Sequence, residues 1–147
     1  MQDENDIENI VTEILDNIKV HDVRTFKEIE EQKEEVLDKI FNPFLCYEKN
    51  ARLKEILKDK LKGYEFVDDF DNITHYSNII MIDTTYFFDF KYRHIGFFIK
   101  KSNDVLLLRN FRNMFLKYKI NENRYYFKKI TNKDKVKIML IETINKM

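Results

Sequence analysis

Two glycines, one proline, one cysteine and no tryptophan occur in 147 residues, and each scarcity removes a class of function. A glycine-rich phosphate loop, a nucleophile elbow or a dinucleotide fingerprint needs several backbone positions of unusual freedom, and two glycines cannot supply them. The same shortage leaves no flexible or proline-rich linker and no low-complexity stretch, so residues 1–147 read as one domain. Cys46 has no second cysteine to pair with and no Cys/His neighbours to build a zinc site, which points to a reducing compartment. Its apolar neighbours in "NPFLCYEK" predict a small buried hydrophobe without a local base, not a nucleophile. No apolar run reaches the ~18 residues of a membrane span. The acidic opening "MQDENDIENI" also lacks the cationic flank and apolar stretch of a secretory signal, so a cytoplasmic protein without membrane contact is expected.

What the chain does contain is charge, arranged unevenly. The 26 acidic and 26 basic side chains cancel, yet residues 1–50 carry 14 acids and 6 bases while residues 91–147 carry 4 acids and 15 bases. Such asymmetry predicts an acidic partner for the C-terminal half, or self-association through oppositely charged ends. Lysines on strand edges also discourage aggregation, which accounts for part of the basic excess without any ligand.

The apolar pattern changes character at Gly63. Ile7, Ile10, Val11, Ile14, Leu15 and Ile18 are spaced for one amphipathic helix. A second begins at a Thr25/Glu28 capping pair, carries Phe26, Ile29, Val36, Leu37, Ile40 and Phe41, and stops at Pro43. A third, over about 48–62, has Leu53, Ile56, Leu57 and Leu61, with Gly63 suited to the left-handed residue that closes it. Beyond it, "YEFV", "NIIMIDTTYFFDF", "HIGFFIKK", "DVLLLRN", "MFLKYKI" and "RYYFKKI" have strand composition, with "DDFDN", "KYRH", "SND", "FRN" and "NEN" as turns. Gly96 inside a strand predicts a bulge or a close backbone approach. The stretch 105–119 also fits a helix through Leu107, Leu108, Phe111, Met114, Phe115 and Tyr118, and periodicity alone leaves both readings open. Thr131 is the expected N-cap of a last helix whose buried side is Val136, Met139, Leu140 and Ile144. The expected fold is α+β: about three N-terminal helices in an acidic part (1–62), a small antiparallel barrel or meander (63–130), and a C-terminal helix (131–147).

Three sets of residues carry candidate chemistry. Asp83, Asp89 and Lys91 are arranged as in PD-(D/E)XK nucleases, in which two carboxylates hold Mg²⁺ and a lysine steadies phosphate charge. Asp89 and Lys91, two apart, would share a strand face, but six residues leave little room for a hairpin after Asp83, and Asp69 or Asp71 as a substitute forces the strand order. Asp-x-Lys arises often in charged chains and reads more readily as an exposed cross-strand ion pair, so the nuclease is the minor alternative to a non-catalytic protein. His21, His75 and His94 stand far apart and read as turn or surface residues. The third set is Lys100, Lys101, Arg109, Arg112, Lys117, Lys119, Arg124, Lys128 and Lys129, interleaved with Phe97, Phe98, Phe111, Tyr118, Tyr125 and Tyr126. Cations that track phosphates and rings that stack on bases are how single-stranded nucleic acid is gripped. A small sheet needs about half of its aromatics for its own core, however, and without Tyr118, Tyr125 and Tyr126 the lysines would stand alone.

The run from "NPF" at 42–44 through "LKEILKDKLKGYEFVDDFDNI", "IIMID", "IGFFIKKSNDVLLLRN" and "RYYFKKI" resembles small β-barrel domains in uncharacterised proteins of large AT-rich DNA viruses and phages. The likeness, one of strand rhythm and a glycine-bearing second strand, covers about residues 42–130 and favours the strand reading of "VLLLRN". It implies a virus-encoded accessory or virion structural protein with protein-binding duties, and carries over no functional residue. The sequence thus leads to a non-catalytic interaction module that needs no cofactor. It would bind another protein, or itself, through the basic β face or the acidic helices. A single-stranded nucleic-acid-binding protein is the first alternative and the metal nuclease the second. No small-molecule substrate is evident.

Overall fold

The computed structural model describes residues 8, 9, 12, 13 and 24–146. Two compact units are present: residues 30–130, and the described residues of 1–29 together with those of 131–147. The expected helix over residues 7–18 lies outside the described residues, except that Glu8, Asn9, Thr12 and Glu13 are helical.

Helix α1 (Phe26–Phe41) starts where the capping pair predicts, with Thr25 Oγ1 accepting the Glu28 N–H at 3.2 Å. Asn42–Phe44 form a single 3₁₀ turn containing Pro43, and the chain re-enters a helix at α2 (Glu48–Lys60). Leu37, Ile40 and Phe41 of α1 pack with Leu53, Leu57 and Leu61 of the α2 segment. Ile56, expected in that stripe, is largely exposed: Asn50, Leu53, Leu57 and Leu61 set the phase of the buried face, and Ile56 falls beside it. Cys46, expected to be buried, is exposed in the turn between the helices. Lys33 occupies the apolar stripe of α1. Its Nζ donates to the carbonyls of Leu61 (3.0 Å) and Tyr64 (3.1 Å) and pairs with Glu30 (2.7 Å), satisfying acceptors freed where α2 ends. Gly63 follows with φ +76°, as the sequence predicts.

Six strands form one antiparallel sheet: β1 (Tyr64–Phe66), β2 (Asn78–Asp83), β3 (Lys91–Ser102), β4 (Val105–Arg109), β5 (Phe115–Lys119) and β6 (Arg124–Lys129). The spatial order β1-β6-β2-β3-β4-β5 is a meander from β2 to β5, after which β6 returns to lie between β1 and β2. β1 and β5 remain edges, so the sheet is open, not a closed barrel. The stretch 105–119 is a hairpin, with Leu106 and Leu108 opposite Tyr118 and Leu116 on one face. The α+β class and the order of elements, helices before the strands and one after them in sequence, are as expected.

β2 is buried on both faces, which is why it reads as an unbroken apolar run. Ile80 and Ile82 join Tyr64, Phe90, Phe127 and the α1 and α2 side chains. Ile79 and Met81 join Val67, Ile73, Ile95, Phe98, Leu106, Leu108 and Tyr126 on the other side, against which Phe70 of a short 3₁₀ turn (Phe70–Asn72) packs.

Two strand boundaries differ from the sequence reading. β2 stops at Asp83, the chain turns over 84–90, and "KYRH", expected as the turn, begins β3. Asp83 starts this turn by accepting the N–H of Thr85 at 2.9 Å. Asn50, forty residues upstream and fully buried, then fixes the aromatic run outside the sheet: its Oδ1 accepts the Phe90 N–H at 2.9 Å and its Nδ2 donates to the Phe87 carbonyl at 2.7 Å. Gly96 does mark a bulge. The register slips opposite Ile79/Ile80, φ is +115°, and an added Cβ would meet the Arg109 carbonyl oxygen at 2.5 Å.

In the other unit, α3 (Asn132–Asn145) begins with a full capping box in which Thr131 and Asp134 exchange hydrogen bonds. Its buried side is Ile138 and Ile141, not the expected stripe, of which Leu140 alone is half-buried and Val136, Met139 and Ile144 are exposed. "VKIMLIETI" has apolar residues around the whole helix, so spacing does not fix which side is covered. Glu142 accepts the free N–H of Phe26 at the start of α1 (3.1 Å).

Candidate functional site

β3, β4 and β5 carry alternating side chains, and one of their two faces is filled by the cluster of Phe98, Leu106, Leu108 and Tyr118. The opposite face is ordered in rows across the strands. Phe97, Arg109 and Phe115 are register partners in the first row, Lys100, Leu107 and Lys117 in the second, and Ser102, Val105 and Lys119 in the third. Phe111, in the turn after β4, sets its ring edge-on to Phe97 with centroids 5.4 Å apart. Phe111 and Phe115 are 69% and 63% exposed, so these rings are not consumed by the core. A second bulge of β3, between Phe98 and Lys100, adds to the twist that one-residue insertions impose on a strand.

The nine expected basic residues divide by face. Lys100, Arg109, Lys117 and Lys119 lie on the open face, with Arg112 beside Phe111 in the turn. Among the described residues no carboxylate is within ion-pairing distance of these five. Three others are on the opposite face and each has an acid: Lys101 pairs with Asp71 at 2.9 Å, Lys128 with Glu65 at 3.2 Å, and Arg124 with Asp83 at 3.7 Å. Arg124 also lies over the Tyr118 ring. Lys129 ends β6 beside the edge strand β1, away from β4 and β5. Of the expected stacking residues, Tyr126 and Phe98 are buried, Tyr118 and Tyr125 are half-buried against the two clusters, and Phe97 and Phe111 reach the open face.

Two buried polar atoms border the first row without a hydrogen-bond partner: Oδ1 of Asn78, whose residue pairs with Phe97, and Nε of Arg109. Buried polar atoms are ordinarily satisfied; Nε of Arg124, on the opposite face, is likewise without a hydrogen bond, so this feature is shared by both faces.

Asp83, Asp89 and Lys91 are engaged separately. Asp83 faces Thr85 and Arg124, whereas Asp89 is 3.2 Å from Lys91 and 4.0 Å from Lys49. Among the described residues no group of three or more His, Cys, Asp or Glu side chains is placed to hold a metal. His75 Nδ1 is 3.0 Å from the Ile99 carbonyl oxygen and His94 is edge-on to Tyr64 and Tyr92; both are exposed, and His21 lies outside the described residues. A cleft between α1 and α2 is lined by charges that neutralise one another, Lys33 with Glu30 and Lys54 with Asp38.

Sequence reasoning missed two features. Phe115 was readable, since the alternation of "FLKYK" puts it with Lys117 and Lys119 and puts Tyr118 on the other side. The second is an aromatic knuckle, Tyr86, Phe87 and Phe88, exposed and continuous with Phe44 and Tyr47 through ring contacts of Phe87. No local pattern could show it, because Asn50 holds it in place. Among the described residues no helix is long and apolar enough to cross a membrane. The chain matches no family model, no curated protein and no solved structure.

Proposed function

We propose that this chain is a non-catalytic binding module that holds single-stranded nucleic acid on the open face of β3, β4 and β5. One observation carries the reading: Lys100, Arg109, Lys117 and Lys119, with Arg112 in the adjoining turn, have no acidic partner among the described residues and lie beside the rings of Phe97, Phe111 and Phe115. Unpaired cations release counterions when phosphates replace them, and exposed rings offer stacking surfaces to any base. Ion-paired Lys101, Arg124 and Lys128 gain less from the exchange, because a phosphate must displace a carboxylate.

The test is fluorescence anisotropy with a labelled single-stranded oligonucleotide across a salt series. At ~0.7 per phosphate contact for single strands, the log–log slope lies between about −1.4 for two contacts and about −3.5 for five. A double charge reversal, Arg109→Glu with Lys117→Glu, abolishes binding. Weak binding that does not change between low and physiological salt would sink the reading.

The knuckle favours a second reading, contact with another protein or another copy of the chain. Three adjacent exposed rings, held at their base by Asn50, form the kind of rigid aromatic anchor that dominates interface energetics. Sedimentation over a wide concentration range tests the self-association arm: a reversible dimer that Phe88→Asp dissociates supports it, and a monomer at every concentration removes it.

A further inference from the structure

The rows on the open face differ in chemistry, and the difference runs along the strands. The first row offers two rings on either side of a guanidinium; the second offers two lysines on either side of Leu107. Successive rows on one face are two residues apart, or ~7 Å, and register partners on adjacent strands are ~4.8 Å apart. Phe97 and Phe115, separated by β4, are therefore ~10 Å apart, with Arg109 between them. Phe111 leans edge-on against Phe97 and widens that end of the row.

We infer that the face divides one bound nucleotide strand between the rows: bases stack on the Phe97–Arg109–Phe115 row, and phosphates lie on the Lys100–Lys117 row. This rests on the nucleic-acid reading above and adds a direction to it. The polynucleotide runs across the strands of the sheet, not along them, because the rings and the lysines each line up across β3, β4 and β5. The row-to-row distance is of the order that separates a base from its own phosphate. Leu107, between the lysines, provides an apolar surface for the sugar. In the base row Arg109 has a planar cation with no acidic partner among the described residues, and Asn78 Oδ1, without a hydrogen bond, borders the same row. A polyanion that lacks bases would use the second row only, so bases and not charge alone determine affinity.

Three probes of equal charge separate the possibilities: an oligothymidine of about 12 nucleotides, within the span of small single-strand sites, an abasic oligonucleotide of the same length, and polyglutamate. The full chain binds oligothymidine at least tenfold more tightly than the abasic strand, with equal salt slopes. Phe111→Ala and Phe115→Ala each weaken oligothymidine binding about 5- to 100-fold without changing the slope, in keeping with the cost of removing one stacking ring. Lys100→Ala and Lys117→Ala each reduce the slope by about 0.7 for both nucleic acids. All four side chains are exposed, and equal melting temperatures of the variants verify the fold. Equal affinity for the abasic strand, or phenylalanine variants that bind as the parent does, overturns the division into rows while leaving nucleic-acid binding intact. Polyglutamate that competes as well as oligothymidine makes the occupant an acidic protein segment and overturns it as well. Failure to bind either nucleic acid removes the underlying reading itself.

Discussion

Gly96 and Tyr126 show how single residues hold the open face in shape. At Gly96 the backbone has φ +115°, and the Arg109 carbonyl oxygen occupies the space of a Cβ. Gly96→Ala meets both backbone strain and a clash with backbone atoms, and is expected to cost about 2–4 kcal/mol in urea denaturation. It should also disturb the β3–β4 register at Phe97 and Arg109, and so weaken nucleic-acid binding beyond the loss of stability. Tyr126 is wholly buried and donates its hydroxyl to the Lys119 carbonyl at 2.8 Å. Burial pushes its phenol up to about 12, against the opposing pull of nearby Arg124. The native state therefore keeps the phenol proton more tightly than the unfolded chain, whose value is ~10. This contribution is complete below pH ~10 and is lost as pH rises through about 12, so stability falls over that window. Tyr126→Phe should lose about 1 kcal/mol at neutral pH and show a shallower alkaline decline in chemical denaturation.

The elements differ in how far their own sequences fix them. α1 and α2 have single apolar stripes and sit as the spacing predicts, apart from Ile56. α3 has apolar residues all round, and its orientation was set by packing: Ile138 and Ile141 are covered, while Met139 is 58% exposed. Ile138→Ala should cost about 2–4 kcal/mol, whereas Met139→Glu should change thermal stability by less than ~0.5 kcal/mol. The reverse ranking would restore the stripe that spacing suggested. The turn over 84–90 shows the same dependence. Its residues "TTYFFDF" have strand composition, and the two hydrogen bonds from Asn50 hold them as a loop. The β4–β5 hairpin was ambiguous in sequence because Leu and Met suit a helix as well as a strand. Pairing with β3 on one side decided it, along with the turn in which Asn110 Oδ1 accepts the N–H groups of Arg112 and Met114.

At the scale of the whole molecule, the chain-long drift from acidic to basic suggested a basic half, but the folded sheet sorts those cations by partner. Lys101 and Lys128 belong to the same basic stretch of sequence as Lys100 and Lys117, yet each lies on the opposite face and is tied to an acid. Lys101→Ala and Lys128→Ala should therefore change oligonucleotide affinity less than twofold, while Lys100→Ala and Lys117→Ala lower it and its salt dependence; anisotropy titrations at two salt concentrations distinguish them. The sequence by itself determined the α+β class, most of the element boundaries, the caps at Thr25 and Thr131, the roles of Gly63 and Gly96 and the position of the charge, because these depend on local spacing and backbone freedom. Only the tertiary structure decided that the sheet stays open, that the aromatic run 86–88 leaves it, and that Lys101 and Lys128 pair with acids. Those outcomes depend on partners distant in sequence, Asn50 for Phe87 and Phe90, Asp71 for Lys101 and Glu65 for Lys128, which no local pattern encodes.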